Sequence, residues 1–140
     1  MSIAATRPIL TLEQAQRILD AAEAGARERS QAFSFAVVDD GGALFAFRRM
    51  DGIHIGTVDV SIAKARAAAS FRRPTRRFAQ GVAEGNLALL SLPGLVALDG
   101  GVPLLIEGAA VGAIGVSGAS PQEDDAIAEI GAAALGGDAP

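Results

Sequence analysis

The chain has 140 residues, half of them apolar, with 16 acidic against 12 basic side chains and a net charge near −4. That length suits one domain, able to bury about two thirds of its unfolded surface, and the acidic balance excludes a general nucleic-acid binder, which needs cationic surface against phosphates. The absence of cysteine removes disulfides, thiolate metal sites, iron–sulfur ligation and a Cys nucleophile together.

In chain order, Thr11 can cap a helix in which Leu12, Ala15, Leu19, Ala22 and Ala26 recur at helical spacing, so a helix is predicted from Leu12 to Arg29. Phe33–Val38 and Ala43–Phe47 flank Asp39-Asp40-Gly41-Gly42 and read as a central β-hairpin, with both faces of its second strand covered. Arg49-Met50-Asp51-Gly52 breaks that pattern. An Ala-rich helix follows from Thr57 to Ser70, interrupted by Pro74, and Thr75–Gln80 adds a turn or two. Leu87–Leu92 reads as a short helical or turn segment. Three strands are then expected at Leu95–Ala97, Pro103–Ile106 and Ala110–Val116, separated by turns at Gly100-Gly101 and Glu107-Gly108 and joined as an antiparallel meander. Pro121 opens a last helix reaching Leu135, with Glu123, Asp124 and Asp125 favoured by its N-terminal dipole. With no βαβ repeat, the order indicates an antiparallel sheet with helices, an α+β domain spanning 1–140 with frayed tails at 1–10 and 136–140. The core is expected to be aliphatic and thin, since there are 17 Gly, six Phe and no Trp or Tyr, and self-association would supply missing burial. Neither a secretory leader nor an apolar run of membrane-spanning length is evident, so a cytoplasmic location with no membrane partner is the default expectation.

Several segments, in order and spacing, resemble the GlcG/HbpS family, which includes the C-terminal domain of PduO-type proteins. They are Arg49-Met50-Asp51-Gly52, Lys64-Ala65 with Phe71 and Pro74-Thr75 downstream, Gly100-Gly101-Val102-Pro103, and Gly112 to Gly118 followed by Glu123-Asp124. The resemblance covers nearly the whole chain. It implies a profilin-like fold, a five-stranded antiparallel sheet flanked by helices in three layers, and oligomers built from dimers. It also implies two styles of use: some relatives bind haem, while others are cofactor-free enzymes, including a lyase acting on hydroxylaminobenzoate.

Arg49, Asp51 and Lys64 match the family pattern, and their chemistry suits a small organic acid: two cations for a carboxylate, with Asp51 moving a proton or orienting a base. The competing reading is an ion-pair network that fixes the turn. Lys64, between alanines, becomes a proton-transfer group if partial burial lowers its pKa, or else it snorkels to solvent. His54 offers a general acid or base, or an axial ligand to haem iron; Met50 is the other soft ligand or packs under the turn. Thr75 and Gly101 belong to the family motifs and are assigned to ligand binding with Arg49, Met50 and Ser117. Ser117 lacks the nucleophile-elbow pattern and suits a ligand hydrogen bond, unless its flanking glycines serve only a tight turn. Arg72-Arg73-Pro74-Thr75-Arg76-Arg77 concentrates four positive charges, as an anion-steering patch or a solvated helix edge. No second histidine exists to complete a metal site around His54, and none is expected. Three functions follow: a cofactor-independent lyase, hydrolase or isomerase acting on a small anionic organic or aromatic acid, a haem-binding or haem-sensing protein, and a non-catalytic accessory homo-oligomer.

Overall fold

The computed structural model describes residues 3–136. Its elements are α1 (Leu12–Glu28), β1 (Ser34–Asp39), β2 (Leu44–Arg49), α2 (Gly56–Phe71), α3 (Arg76–Ala83), a short 3₁₀ helix (Leu87–Ser91), β3 (Gly101–Ile106), β4 (Ala109–Ser117) and α4 (Pro121–Gly136). The first helix starts where a Thr-x-x-Gln pattern closes a reciprocal cap: Gln14 N donates to Thr11 Oγ1, and Thr11 N donates to Gln14 Oε1, which satisfies two of the free amides of the first turn. The last helix is capped by the Ser120 side chain alone, its hydroxyl accepting from Glu123 N at 3.2 Å and donating to the Glu123 carboxylate at 2.8 Å. Of the tails expected at 1–10 and 136–140, residues 1–2 and 137–140 lie outside the described residues. Leu10 packs into the core, and Arg7 pairs with Asp40 at 2.6 Å.

All strand pairs are antiparallel, in the order β2-β1-β4-β3. The period of two sorts the side chains by size. Phe35, Val37, Val102, Leu104, Ile114 and Val116 point to one face and form the main core with Ile18 and Leu19 of α1 and Ile127 of α4. Ala36, Val38 and Ala113 point to the other and meet Ala65, Ala68 and Ala69 of α2. These small residues let the α2 backbone itself lie on the sheet. A Cβ on Gly115 would overlap Ser61 O and stand 2.6 Å from Ala65 N, and one on Gly101 would stand 2.5 Å from Lys64 O. The glycine and alanine content that makes the core look thin is therefore concentrated where helix and strand backbones touch. The result is three layers, α1 and α4, then the sheet, then α2.

Two sequence expectations are corrected. The sheet has four strands among the described residues, not five, because Leu95–Ala97 runs as irregular chain. That segment is three residues bracketed by Pro93-Gly94 and Asp99-Gly100, too short to hold a ladder between two turns. Gly101 is correspondingly the first residue of β3 rather than part of a turn, and β4 joins β1, so only β3 and β4 are consecutive neighbours in the expected meander. The hairpin is also not central as a unit. Its first strand is internal, but β2 is an edge, and Leu44 is 47% exposed instead of covered.

The other edge is partly closed. Gly101 sits opposite Gly115 in a position whose amide and carbonyl face outward; Gly101 N donates to Thr75 Oγ1 and Thr75 N donates to Gly101 O, both at 2.9 Å. The next outward position is Pro103, which has no N–H to offer. A threonine and a proline thus blunt the first half of this edge, where a fifth strand would otherwise pair.

Candidate functional site

The chain leaves β2 at Arg49 and enters α2 at Gly56 through a short loop whose ends are tied down. Met50 N donates to Phe33 O at 3.0 Å. Gly52 takes φ +85, a conformation that favours glycine, and the Arg49 guanidinium donates across the turn to Ile53 O at 3.2 Å. At the far end Thr57 N and Thr57 Oγ1 both donate to His54 O, at 3.2 and 2.8 Å. Since the Thr57 hydroxyl proton is used there, the buried 2.9 Å contact between Ser34 Oγ and Thr57 Oγ1 has Ser34 donating. A chain of hydroxyls therefore anchors the His54 backbone to β1. The imidazole itself is exposed and lies next to Ile55, which is 73% exposed. A Cβ on Gly56 would come within 3.3 Å of His54 Nδ1, so glycine there leaves that side of the ring open.

Arg49, Met50 and Asp51 line one cleft of about 270 Å³ together with Glu23, Arg27 and Arg48. Most of its charges are already matched: Arg48 pairs with Asp20 at 2.7 Å and Glu23 at 3.2 Å, and Arg27 with Glu23 at 3.0 Å. Among the described residues no carboxylate pairs with Arg49, whose guanidinium donates to Ile53 O and keeps its charge unmatched.

Lys64 lies elsewhere and is sealed. Its ammonium donates to Val116 O at 2.9 Å and to Asp124 Oδ2 at 3.0 Å, and the two side chains are 3% and 6% exposed. The other Asp124 oxygen accepts from Ala119 N at 2.9 Å. Burial pushes the Asp124 carboxyl above the ordinary aspartate value, against the pull of the Ala119 amide and of Lys64. Lys64 also completes the sheet. Val116 N donates to Gly100 O at 2.9 Å, but Gly100 turns at φ +121, and Lys64 Nζ takes the Val116 carbonyl at the end of the ladder. A Cβ on Gly100 would stand 2.6 Å from Val116 O and 3.0 Å from Lys64 Nζ.

The predicted residues thus divide. Arg49, Met50 and Asp51 share a cleft, with His54 on the same anchored loop. Lys64, Thr75 and Gly101 form one buried cluster whose bonds run to the chain itself. Ser117 is buried at the end of β4, and Ser34 pairs with both Ser117 and Arg49, so the three lie in one row across the sheet. Arg49 and Lys64 do not converge: Arg49 is exposed on β2, while the ammonium is buried on the β3 side of β4, and β2 and β4 are themselves two strand spacings, about 10 Å, apart. Asp124, the partner of Lys64, was read from sequence as a first-turn acid and as part of a family-like segment, without a role in the site. The Ser120-x-x-Glu123 cap was the available signal, because it fixes where the first turn begins and so directs Asp124 back toward the sheet.

The family described as haem degrading protein HbpS-like matches residues 10–133. The chain belongs to that family. It is similar to protein GlcG of Escherichia coli K12, 39% identical over 112 residues that cover 80% of this chain and 84% of GlcG. Among solved structures, it is similar to Klebsiella pneumoniae ORFY, with TM-score 0.87, 28% identity and 97% of each chain covered. It is also similar to a double mutant of Streptomyces reticuli HbpS, with TM-score 0.84, 35% identity and 96% and 97% of the two chains covered. No helix among the described residues is long and apolar enough to cross a membrane.

Proposed function

We propose that this chain is a haem-binding member of the HbpS-like family, with His54 as the iron ligand and Arg49 as the counter-ion of a propionate. The observation that carries the reading is the loop itself: it is tied at both ends by backbone and hydroxyl bonds, yet presents the chain's sole imidazole to solvent. The residues present fit the group. A porphyrin brings four iron ligands of its own, so one imidazole suffices, and among the described residues no group of three or more His, Asp or Glu stands ready to chelate a bare ion. Ile55 offers apolar contact to a macrocycle, and Arg49 has no carboxylate to release first. Haem supplies redox-active iron, tuned by its axial ligand; the protein holds, orients and partly covers it. The family's description and the likeness to HbpS support the same reading. The exposed Leu44 and Phe45 on the β2 edge suit a homo-oligomer, with a second copy covering what one copy leaves bare. Titration with hemin tests the proposal: a saturable Soret band is expected, displaced or abolished in His54→Ala, and a titration indifferent to that substitution overturns it.

A second reading is supported by the cleft of Arg49, Met50 and Asp51: a cofactor-free enzyme acting on a small organic acid, held by Arg49, with Asp51 carrying the proton. Lys64 has no part in it, being buried and bonded on both sides. This reading predicts turnover by haem-free protein that falls at least a hundredfold in Asp51→Ala while the fold is kept, a magnitude typical of a lost general base. Unchanged turnover in that variant contradicts it.

A further inference from the structure

A second cleft, of about 440 Å³, opens at the other end of α2, between the β3 edge and the C-terminal half of α4. It shares no lining residue with the Arg49 cleft. The sixteen residues of α2 put it about 22 Å from the His54 loop at 1.5 Å per residue. Pro74, Val102, Pro103 and Leu105 form one wall and Ala132 and Ala133 the other, with Arg72 and Glu129 the charged members. Glu129 is already engaged, its Oε1 2.6 Å from Arg76 Nη1. Arg72 has no carboxylate partner among the described residues.

Two features indicate what such a cleft can take. The outward ladder groups at the start of β3 are interrupted, since Thr75 occupies both those of Gly101 and Pro103 has no N–H. An added peptide strand would find a broken ladder here, which favours a small molecule held by contact and charge. The second feature is the backbone at Arg72. It ends α2 in the left-handed region, at φ 55, the position at a helix C-terminus where glycine is usual and a side chain costs stability. A long cation stands there at the lip of an apolar cleft, in the place where glycine would fold better. Backbone strain of this kind concentrates at ligand sites.

We infer that this cleft binds a small apolar molecule bearing a single carboxylate, with the body between Pro103 and Ala133 and the carboxylate on Arg72. The guanidinium suits a carboxylate as a two-pronged donor, and the volume falls within the range of small-molecule pockets. The arginine run that begins at Arg72 thus contributes a specific counter-ion rather than a diffuse field.

The test uses the intact chain, isotopically labelled, titrated with sodium benzoate and with cyclohexanecarboxylate while amide shifts are followed. Saturable shifts are expected at Leu105, Ala132 and Ala133, with benzyl alcohol binding at least tenfold more weakly than benzoate. Arg72→Gly is expected to raise the urea midpoint and weaken benzoate binding at least tenfold, a combination that a purely structural arginine would not give. Arg72→Lys should recover part of the binding, and Ala133→Leu should block it with the charge intact. Saturable shifts confined to the Arg49–His54 loop, no saturable shift at millimolar benzoate, or benzoate binding unchanged in Arg72→Gly each overturn the inference. None of these outcomes bears on hemin binding at His54, so the two proposals fail separately.

Discussion

Replacing Lys64 by Met keeps the length and apolar stem of the side chain but removes the ammonium from the centre of a buried cluster. Two losses follow. Val116 O loses its donor at the end of the β3–β4 ladder, and Asp124 keeps a carboxylate held by backbone amides alone, at Ala119 and Gly118. The charge cost has a ceiling, because the carboxyl can take a proton instead. From the ordinary aspartate value to pH 7 is about three pH units, or roughly 4 kcal/mol at 1.36 kcal/mol per unit. Breaking a buried pair from one side costs about 3–5 kcal/mol, so a loss of about 4 kcal/mol at pH 7 is expected. It should shrink on acidification, by up to about 1.4 kcal/mol per pH unit, as the stranded Asp124 is protonated. Urea unfolding of both proteins at pH 5, 6 and 7 measures this. A loss below 1 kcal/mol at pH 7, or one of constant size across the range, refutes the claim that the pair is a structural tie.

Two other outcomes follow from the same geometry. Gly115→Ala forces a methyl against the α2 backbone at Ser61 O and Ala65 N; backbone cannot rotate aside, so a loss at or above the roughly 3 kcal/mol upper end of ordinary overpacking is expected in the urea midpoint. For Asp124 the folded pKa is raised, so the folded state binds more protons than the unfolded one between the two values. Its titration therefore contributes stability that is full below the unfolded value and lost as pH rises through the folded one. The stability gap between the native chain and Asp124→Asn should accordingly narrow as pH rises from about 4, the unperturbed carboxyl value; a gap that widens means the carboxyl is held down by Lys64 rather than pushed up by burial.

Local signals made much of the fold legible. Thr11 with Gln14, the Asp39–Gly42 turn, and Pro121 at the start of α4 each state a boundary through chemistry confined to four residues. What depends on distant pairing was not legible. Leu95–Ala97 has strand composition, but whether it forms a strand depends on an edge to join, and Thr75 occupies that edge from 26 residues away in sequence. The hairpin signal was sound, yet it does not say which strand becomes the sheet's interior. For the site, the Arg49–Asp51 motif came together because its members are adjacent in sequence. Lys64 was misplaced because α2 has no apolar stripe: it packs through alanines and glycines, so the pattern cannot say which way a lone lysine points. Asp124, 60 residues later, supplies that answer.

The central claim is that the imidazole of His54 meets the iron of a bound porphyrin, and the chain's single histidine allows that claim to be read without assignment. Zinc protoporphyrin, a diamagnetic stand-in for haem, is added to protein carrying labelled histidine, and the side-chain resonances are followed. The account predicts a large upfield displacement of the imidazole signals, produced by the ring current of a macrocycle directly over them. Porphyrin binding that leaves those signals where they are in the free protein would contradict it.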